Sequence, residues 1–399
     1  MRVGRTLVCV VVVLVCWLGD VPPASARSDV VWRREPIGRL GGLTVDAAGH
    51  VFVTGGVWAP PAGTNRYHRE AMLVAKYGPA GGLAWRRTWR VRATGRWASG
   101  HVVAPAPGGG VYVGGADGWY EDDHPMVWRY AATGRLVWRR RLPLSLDRGY
   151  VSSIAPDRRG GLVVAVQSVG PCCDSVLHDG WVLALDPAGR VRWRTDFEAP
   201  GVTGTWDAVR DVAVGGDGRV YAVGHVDRAY TGSPDRPVDE DVVVLQLRTD
   251  GALGWARLLG DPGVRDRDEA TAVGVRAGVV AVAGEVDGRR ARSSQRGWLA
   301  MFTTGGARRW ARRWGPVGTR HAITIPDLAF APWGAVYVAT ERTVYRAGES
   351  RTSAGLRRYA HGGRLVSRRT APDGMGITAV TARFRLYLVV GGGLERWRR

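Results

Sequence analysis

Six segments of the chain set a glycine four residues ahead of one fixed position. They are YGPAGGLAW (77–85), YAATGRLVW (130–138), LDPAGRVRW (185–193), LRTDGALGW (247–255), FTTGGARRW (302–310) and YAHGGRLVS (359–367). The glycines are Gly81, Gly134, Gly189, Gly251, Gly306 and Gly363. Trp85, Trp138, Trp193, Trp255 and Trp310 fill the fixed position, and Ser367 takes it in the sixth copy. The tryptophans recur at intervals of 53, 55, 62 and 55 residues. That period is far too long for a single hairpin and matches a unit of four strands.

A second signature lies upstream of each copy, where Val and Tyr alternate next to glycine. It reads VFVTG (51–55), VYVGG (111–115), LVVAV (162–166), VYAVG (220–224), VVAVAG (279–284), VYVAT (336–340) and LYLVVGG (386–392). β-branched and aromatic residues at period two, bounded by glycine, specify strands, and there are seven such runs. No stretch of comparable strength has helical periodicity, so the chain is expected to be all-β. Each unit then contains strand a (LTVDAAG type), strand b (VYVGG), strand c (MLVAKY) and strand d (LAWRRTW). Short glycine turns join a to b and c to d, and longer irregular loops make the b–c and d–a links.

The two ends of the chain are complementary. The seventh unit begins at Ile377 and stops at LERWRR without a strand d, while DVVWRRE (29–35) reads as a strand d, with Trp32 lying 53 residues before Trp85. The expected fold is therefore a seven-bladed β-propeller, closed by an N-terminal strand that completes the C-terminal blade. Closure removes the open sheet edges on which other chains could pair. One propeller domain is expected to span residues 27–399.

The pattern DVVVLQLRTDGALGWARLLG, followed by DEATAVGV and VVAVAGEV, resembles the bacterial SBBP-type β-propeller repeat found in exported proteins. The resemblance covers nearly all of the chain after the N-terminal segment. It implies the fold and export, and no single activity. A weaker similarity links the blades to the tryptophan-docking repeats of quinoprotein dehydrogenases, which bind PQQ. Here the acid of Asp186-Pro187-Ala188-Gly189 stands three residues before the glycine instead of four.

The first residues, MRVGRTLVCVVVVLVCWLGDVPPASA, carry basic Arg2 and Arg5, an apolar run from Leu7 to Gly19, and the small-x-small site Ala24-Ser25-Ala26. They read as a secretory signal peptide cleaved after Ala26, which predicts an exported protein with no later membrane span. Cys9 and Cys16 leave with that peptide. Cys172 and Cys173 are then the only cysteines, so no disulfide framework is expected. Adjacent Cα atoms lie closer together than a disulfide ordinarily requires, so a vicinal Cys172–Cys173 bond would strain the peptide between them. It would sit in the b–c loop of the third blade as a rigid lip, and the quinoprotein resemblance implies a cofactor next to such a ring.

The formal net charge is +20, with 56 Lys and Arg against 36 Asp and Glu, and Lys76 is the only lysine. The arginines are spread evenly rather than gathered in a tract, and export argues further against a nucleic-acid partner. An anionic cell-surface polymer remains compatible with the charge. Arg34, Arg87, Arg140, Arg257, Arg312 and Arg369, with Thr195 in the third copy, follow the fixed position by two residues. Their stems are expected to lie beside the Trp rings, which would fill the wedges between blades.

The b–c and d–a loops converge on one face and are rich in acids, whereas the opposite turns are mostly Gly and Arg. One acidic and one basic face are therefore expected. His68, His124, His178 and His225 fall on or beside four consecutive b–c loops, with Asp123, Asp179 and Asp241 nearby. Together with Cys172 and Cys173 these are the candidate binding residues. No ligand spacing supports a metal, no cofactor is specified, and nucleophile-elbow, phosphate-loop and zincin motifs are absent. The reading that follows is a monomeric exported propeller that binds a protein or glycan through its loop face. A quinoprotein-type oxidoreductase with the cysteine pair at its site is the alternative.

Overall fold

The computed structural model describes residues 30–35, 37–58, 70–91, 97–119, 122–144, 148–168, 180–202, 206–227, 239–260, 267–286, 295–316, 321–346, 349–371, 377–381, 386–390 and 393–397. These form strands and one short 3₁₀ turn at Pro107–Gly109. None of them forms a helix long and apolar enough to cross a membrane. The segment read as an export signal lies outside the described residues.

The strands form seven antiparallel sheets, and in all but the closing blade sequence order is spatial order. Blade 1 runs Arg39–Val45, Val51–Trp58, Glu70–Tyr77, Leu83–Trp89, and blade 2 runs Trp97–Ala106, Gly110–Trp119, Asp122–Tyr130, Leu136–Arg141. Blade 3 is Gly149–Pro156, Leu162–Ser168, Gly180–Leu185, Val191–Asp196, and blade 4 is Trp206–Val214, Val220–Asp227, Glu240–Leu247, Leu253–Leu259. Blade 5 is Glu269–Arg276, Val279–Val286, Arg296–Thr303, Arg308–Trp314. In blade 6 the inner strand is split into His321–Thr324 and Leu328–Phe330, followed by Val336–Arg346, Glu349–Tyr359 and Leu365–Thr370. Blade 7 takes Ile377–Thr381, Leu386–Val390 and Gly393–Trp397 from the C-terminal end, and Val30–Arg34 pairs against Gly393–Trp397 with Trp32 opposite Arg396. Each inner strand touches the inner strands of the neighbouring blades, and that of blade 7 touches that of blade 1. The ring is closed as the complementary ends predict.

Second and third strands are buried along nearly their whole length, for example Val220–Asp227 and Leu162–Ser168, whereas outer strands such as Leu83–Trp89 are largely exposed. A strand covered on both faces has no polar side to show, which is why these runs read as continuous apolar sequence. The buried apolar residues fall into seven clusters, each shared by two adjacent blades, including one between blades 7 and 1. The core is thus a ring of interfaces with no common centre.

The Gly-x-x-x-Trp repeat is the outer joint of those interfaces. The Trp85 indole donates to the carbonyl of Ala132 in the next blade's c–d turn, 2.8 Å away. Trp138, Trp193, Trp255 and Trp310 make the same bond to Pro187, Thr249, Thr304 and His361. The turn glycine lies under the ring. Gly251 has φ +89°, and a Cβ there would stand 2.7 Å from Trp193. Two residues after four of the Trp residues the side chain reaches the same glycine's carbonyl, from Arg87 to Gly134, Thr195 to Gly251, Arg257 to Gly306 and Arg312 to Gly363, while Arg140 reaches the carbonyl of Ala188 one residue earlier. Arg34 does this for Gly81 across the closure, at 2.5 Å. The guanidinium groups of Arg87, Arg140, Arg257 and Arg312 lie 5.4–5.8 Å from the Trp ring centres. Ser367 is the exception that the ring explains: blade 7 takes its third and fourth strands from opposite chain ends, so no c–d turn exists there for a tryptophan to cap.

Two expectations are corrected. The turns opposite the loop face are not merely Gly and Arg. Asp46, Asp157, Asp186, Asp217 and Asp250 sit in them and accept backbone N–H bonds from their own turns, as Asp157 does from Arg159 and Gly161. Short acids close tight turns by this local bonding. In blade 6 the b–c link is not an irregular loop. Val336–Arg346 and Glu349–Tyr359 stay paired out to Arg346 and Glu349, and His321–Thr324 adds a third strand to the extension. The β-formers Thr340, Thr343, Val344 and Tyr345 carry the ladder outward.

Candidate functional site

Every inner strand carries one extra residue at the same level. Pairing with the second strand skips Gly41, His101, Ser152, Arg210, Thr271 and Thr378 in blades 1, 2, 3, 4, 5 and 7. In blade 6 the three residues Ile325 to Asp327 stand against Ala339 and Thr340. A bulge presses the backbone toward its partner strand and re-aims the extra side chain. The crowding explains the repeated glycines of the second strands. A Cβ on Gly55, Gly115, Gly224 or Gly284 would fall 1.7–2.0 Å from an inner-strand carbonyl oxygen. These glycines, read from the sequence as strand boundaries, lie inside strands that continue to Trp58, Trp119, Asp227 and Val286.

The bulge residues reach across to the next blade. Ser152 donates to the carbonyl of Val209 and Thr271 to that of Ile325, at 2.9 and 2.6 Å. One position further on, Asp211 and Asp327 tie blades 4 and 6 to the blade after each. Asp211 accepts the N–H of Val273 at 2.7 Å and the Ser153 hydroxyl, and Asp327 accepts the N–H of Val380 at 2.8 Å. Burial drives the Asp211 carboxyl up to about 6 and that of Asp327 up to about 8, the latter raised further by the charge of Asp211.

In blades 2 to 5 the same belt carries acid–base groups, and these form the candidate site. The His101 ring meets Tyr150 of the next blade edge-on, with centroids 5.3 Å apart. Burial lowers the His101 pKa, and the charge of Arg39 lowers it further against an opposing hydrogen bond with the Val151 backbone. Arg39 and Glu70 come together over Gly56, which has no side chain to separate them, and burial raises the Glu70 pKa against the pull of Arg39. On the other side, Tyr150 lies within electrostatic reach of Arg210. Arg210 pairs with Glu269 of blade 5, and the Nδ1 of His225 stands 3.3 Å from the same carboxylate.

Cross-strand pairing sets Glu285 opposite Glu269. Two carboxylates so placed repel each other unless one is protonated. Burial and the Glu269 charge hold Glu285 well above the usual carboxyl range, while it accepts the N–H of Ile325. Glu269 goes the other way: burial opposes ionisation, but His225 and Arg210 outweigh it. Burial would depress His225, and the bond to Glu269 with the charges of Glu269 and Glu240 raises it instead. The arc therefore runs Arg39, His101, Tyr150, Arg210, Glu269, His225, with cations on both sides of a neutral imidazole and a phenol.

Of the residues singled out from the sequence, His225 belongs to this arc. Asp123 stands 3.6 Å from Arg148 and links blade 2 to the start of blade 3. His124 is buried and lines a groove of about 750 Å³ between the outer strand of blade 1 and blade 2, with Trp89, Asp117, Arg139 and Arg141. Asp241 is fully buried against Gly260, where a Cβ would overlap its carboxylate. These residues therefore occupy separate surroundings. His68, Cys172, Cys173, His178 and Asp179 lie outside the described residues. Among the described residues no three His, Cys, Asp or Glu side chains are grouped to hold a metal. His101, Tyr150, Arg210 and Arg39 escaped the sequence reading. Aligning the seven inner strands at the bulge would have exposed His101 and Arg210 as the large titratable residues at a position otherwise held by Gly, Ser or Thr.

The seven sheets, the closed ring and the polar arc together define a seven-bladed β-propeller. No protein-family model and no curated protein sequence matches the chain. Solved structures share the fold. An ulvan lyase of polysaccharide lyase family PL25 superposes with a TM-score of 0.53 at 9% identity, over 92% of this chain and 95% of its own. Sqt1 of Chaetomium thermophilum gives 0.51 at 12% identity, over 93% and 98% of the two chains. Drosophila semaphorin 2a gives 0.50 at 8% identity, covering 93% of this chain and 75% of that one.

Proposed function

We propose that this is an exported propeller that binds an acidic polysaccharide across its inner-strand arc. The observation that carries the reading is the run of rings and cations in that arc: the edge-on His101–Tyr150 pair, with the charge of Arg39 bearing on His101 and that of Arg210 on Tyr150. A uronate chain presents carboxylates for guanidinium groups and sugar faces for a ring, which is the chemistry these side chains offer. The N-terminal segment, which reads as a secretory signal peptide, supports export. Among the fold neighbours, the ulvan lyase is known bound to -[GlcA(1-4)Rha3S]-, an acidic sugar unit, which is compatible with the reading while the likeness itself concerns the fold. The quinoprotein alternative rests on Cys172 and Cys173 and stands as a separate proposal.

Calorimetric titration with polygalacturonate, polyglucuronate and neutral dextran tests the reading. Binding of at least one polyuronate and not of dextran is expected, weakening steeply as salt rises because the contacts are ionic and partly exposed. Arg39→Gln should weaken it about tenfold, on the order of one lost charge-assisted contact. Equal affinity for dextran, or an unchanged constant in Arg39→Gln, would refute it.

A further inference from the structure

We propose that the His101–Tyr150 pair, with Arg39 and Arg210 on either side, cleaves a uronate polymer by β-elimination. The inference rests on the acidic-polysaccharide reading and assigns that site a reaction.

The argument starts from what the arc can and cannot do. Hydrolysis of a glycosidic bond ordinarily needs two carboxyl groups, one held as acid and one as base or nucleophile. Of the arc's acids, Glu269 is committed to Arg210 and His225 and Glu285 to the backbone of Ile325, which leaves Glu70 beside Arg39 as a single carboxyl and not a pair. Elimination needs other parts. It requires a cation to neutralise the uronate carboxylate, a base for the proton on the adjacent C5, and an acid for the departing oxygen on C4.

His101 suits the base. It is the bulged residue of its strand, so its side chain is turned out of the ordinary alternation and meets Tyr150 from the neighbouring blade. One ring nitrogen is engaged by the Val151 backbone, which fixes the tautomer and leaves the other nitrogen with its lone pair. Burial and Arg39 keep the ring neutral, so no proton has to leave before catalysis. Tyr150, packed edge-on against that ring, brings a phenol O–H from the neighbouring blade. Arg39, exposed and with its charge bearing on His101, supplies the cation for the uronate carboxylate, while Arg210, already paired with Glu269, bears on Tyr150.

The step balances without a co-reactant. The His101 nitrogen takes the C5 proton, the C–H electrons form the C4=C5 double bond, the C4–O bond breaks, and Tyr150 protonates the leaving oxygen. Proton exchange with water then restores both groups.

The test uses the full exported chain and follows the ultraviolet absorbance of the conjugated unsaturated uronate, alongside calorimetry on the same polymers. A polyuronate that binds should yield the absorbance, and its carboxyl-reduced form should not. Tyr150→Phe should slow the rate at least about 100-fold, the scale of general acid–base catalysis, with binding and melting temperature nearly unchanged; His101→Gln should slow it as much, and should weaken binding by far less than that because Arg39 and the Tyr150 ring remain. Tyr150→Phe keeps the ring against His101, so lost folding cannot mimic lost chemistry. Because the base works deprotonated, the acid limb of the rate profile should fall below the ordinary imidazole pKa and vanish from the residual rate of His101→Gln. Binding without unsaturation, or a retained rate in His101→Gln, overturns the elimination and leaves the binding reading intact. No binding by any polyuronate overturns both.

Discussion

Single residues hold adjacent blades together here, and two of them do so as buried acids. Asp327 is fully enclosed and gives one oxygen to the N–H of Val380 and the other to that of Leu328. Its folded pKa of about 8 stands far above the value of about 3.9 for an exposed aspartate. The sign follows from that inequality. The fold holds the proton while the unfolded chain has released it, so the stabilisation is complete below about pH 4 and is lost as pH rises through about 8. Asp211, at about 6, adds a smaller loss that ends earlier. Urea titrations between pH 4 and pH 9 should therefore show stability falling with pH. In Asp327→Asn the fall should shrink to the parts contributed by Asp211, which ends near pH 6, and by the other raised acids, Glu285 and Glu70. The amide cannot accept both N–H bonds, so the variant should start about 1 kcal/mol below the parent at pH 5. It should overtake the parent by pH 8. A parallel decline in both proteins would show that Asp327 is ionised in the fold.

At the scale of strands, what was legible in the sequence is what repeats. The Gly-x-x-x-Trp joint recurs because the same turn meets the same outer strand at successive interfaces, and even its lapse at Ser367 follows from the closing blade. The bulge repeats as well, but its mark is a glycine on the partner strand, and a glycine beside Val and Tyr reads equally well as a strand end. The site residues left no periodic mark at all. His101 and Arg210 are single departures at a position where other blades carry Gly41, Ser152 or Thr271, and Tyr150 joins them only because the bulge brings successive blades into reach. Asp241, expected beside the loops, proved buried, since charge alone does not reveal which strand end is covered. The bulge makes its own prediction. In Gly284→Ala the new methyl would sit 1.9 Å from the Glu269 carbonyl, so the inner strand of blade 5 must shift. A loss of about 3 kcal/mol, the upper range for overpacking, should appear in denaturant titration. Because the displaced residue is Glu269, polyuronate binding should weaken with it. Unchanged stability would mean that the bulge yields freely and is not what demands glycine.

The whole molecule is a ring of seven interfaces, and one blade is assembled from the two ends of the chain. No central core compensates if that seam opens, because each apolar cluster belongs to two neighbours only. The seam has its own electrostatic pin: Arg33 pairs with Glu395, which is wholly buried and lies directly opposite it in the ladder. A chain beginning at Ile37 would keep three strands of blade 7 and lose the fourth. Gly393–Trp397 would become an open edge whose unpaired N–H and C=O groups can pair with a second copy. Glu395 would lose its guanidinium, and breaking a buried pair from one side costs about 3–5 kcal/mol. The truncated chain should therefore unfold at lower denaturant and sediment as concentration-dependent oligomers. Adding Glu395→Gln to the truncation removes the stranded charge but not the open edge. It should recover much of the lost stability while leaving the oligomers in place, and a peptide spanning residues 27–36 should disperse them. A truncated chain that stays monomeric and as stable as the parent would show that the ring does not depend on its seam.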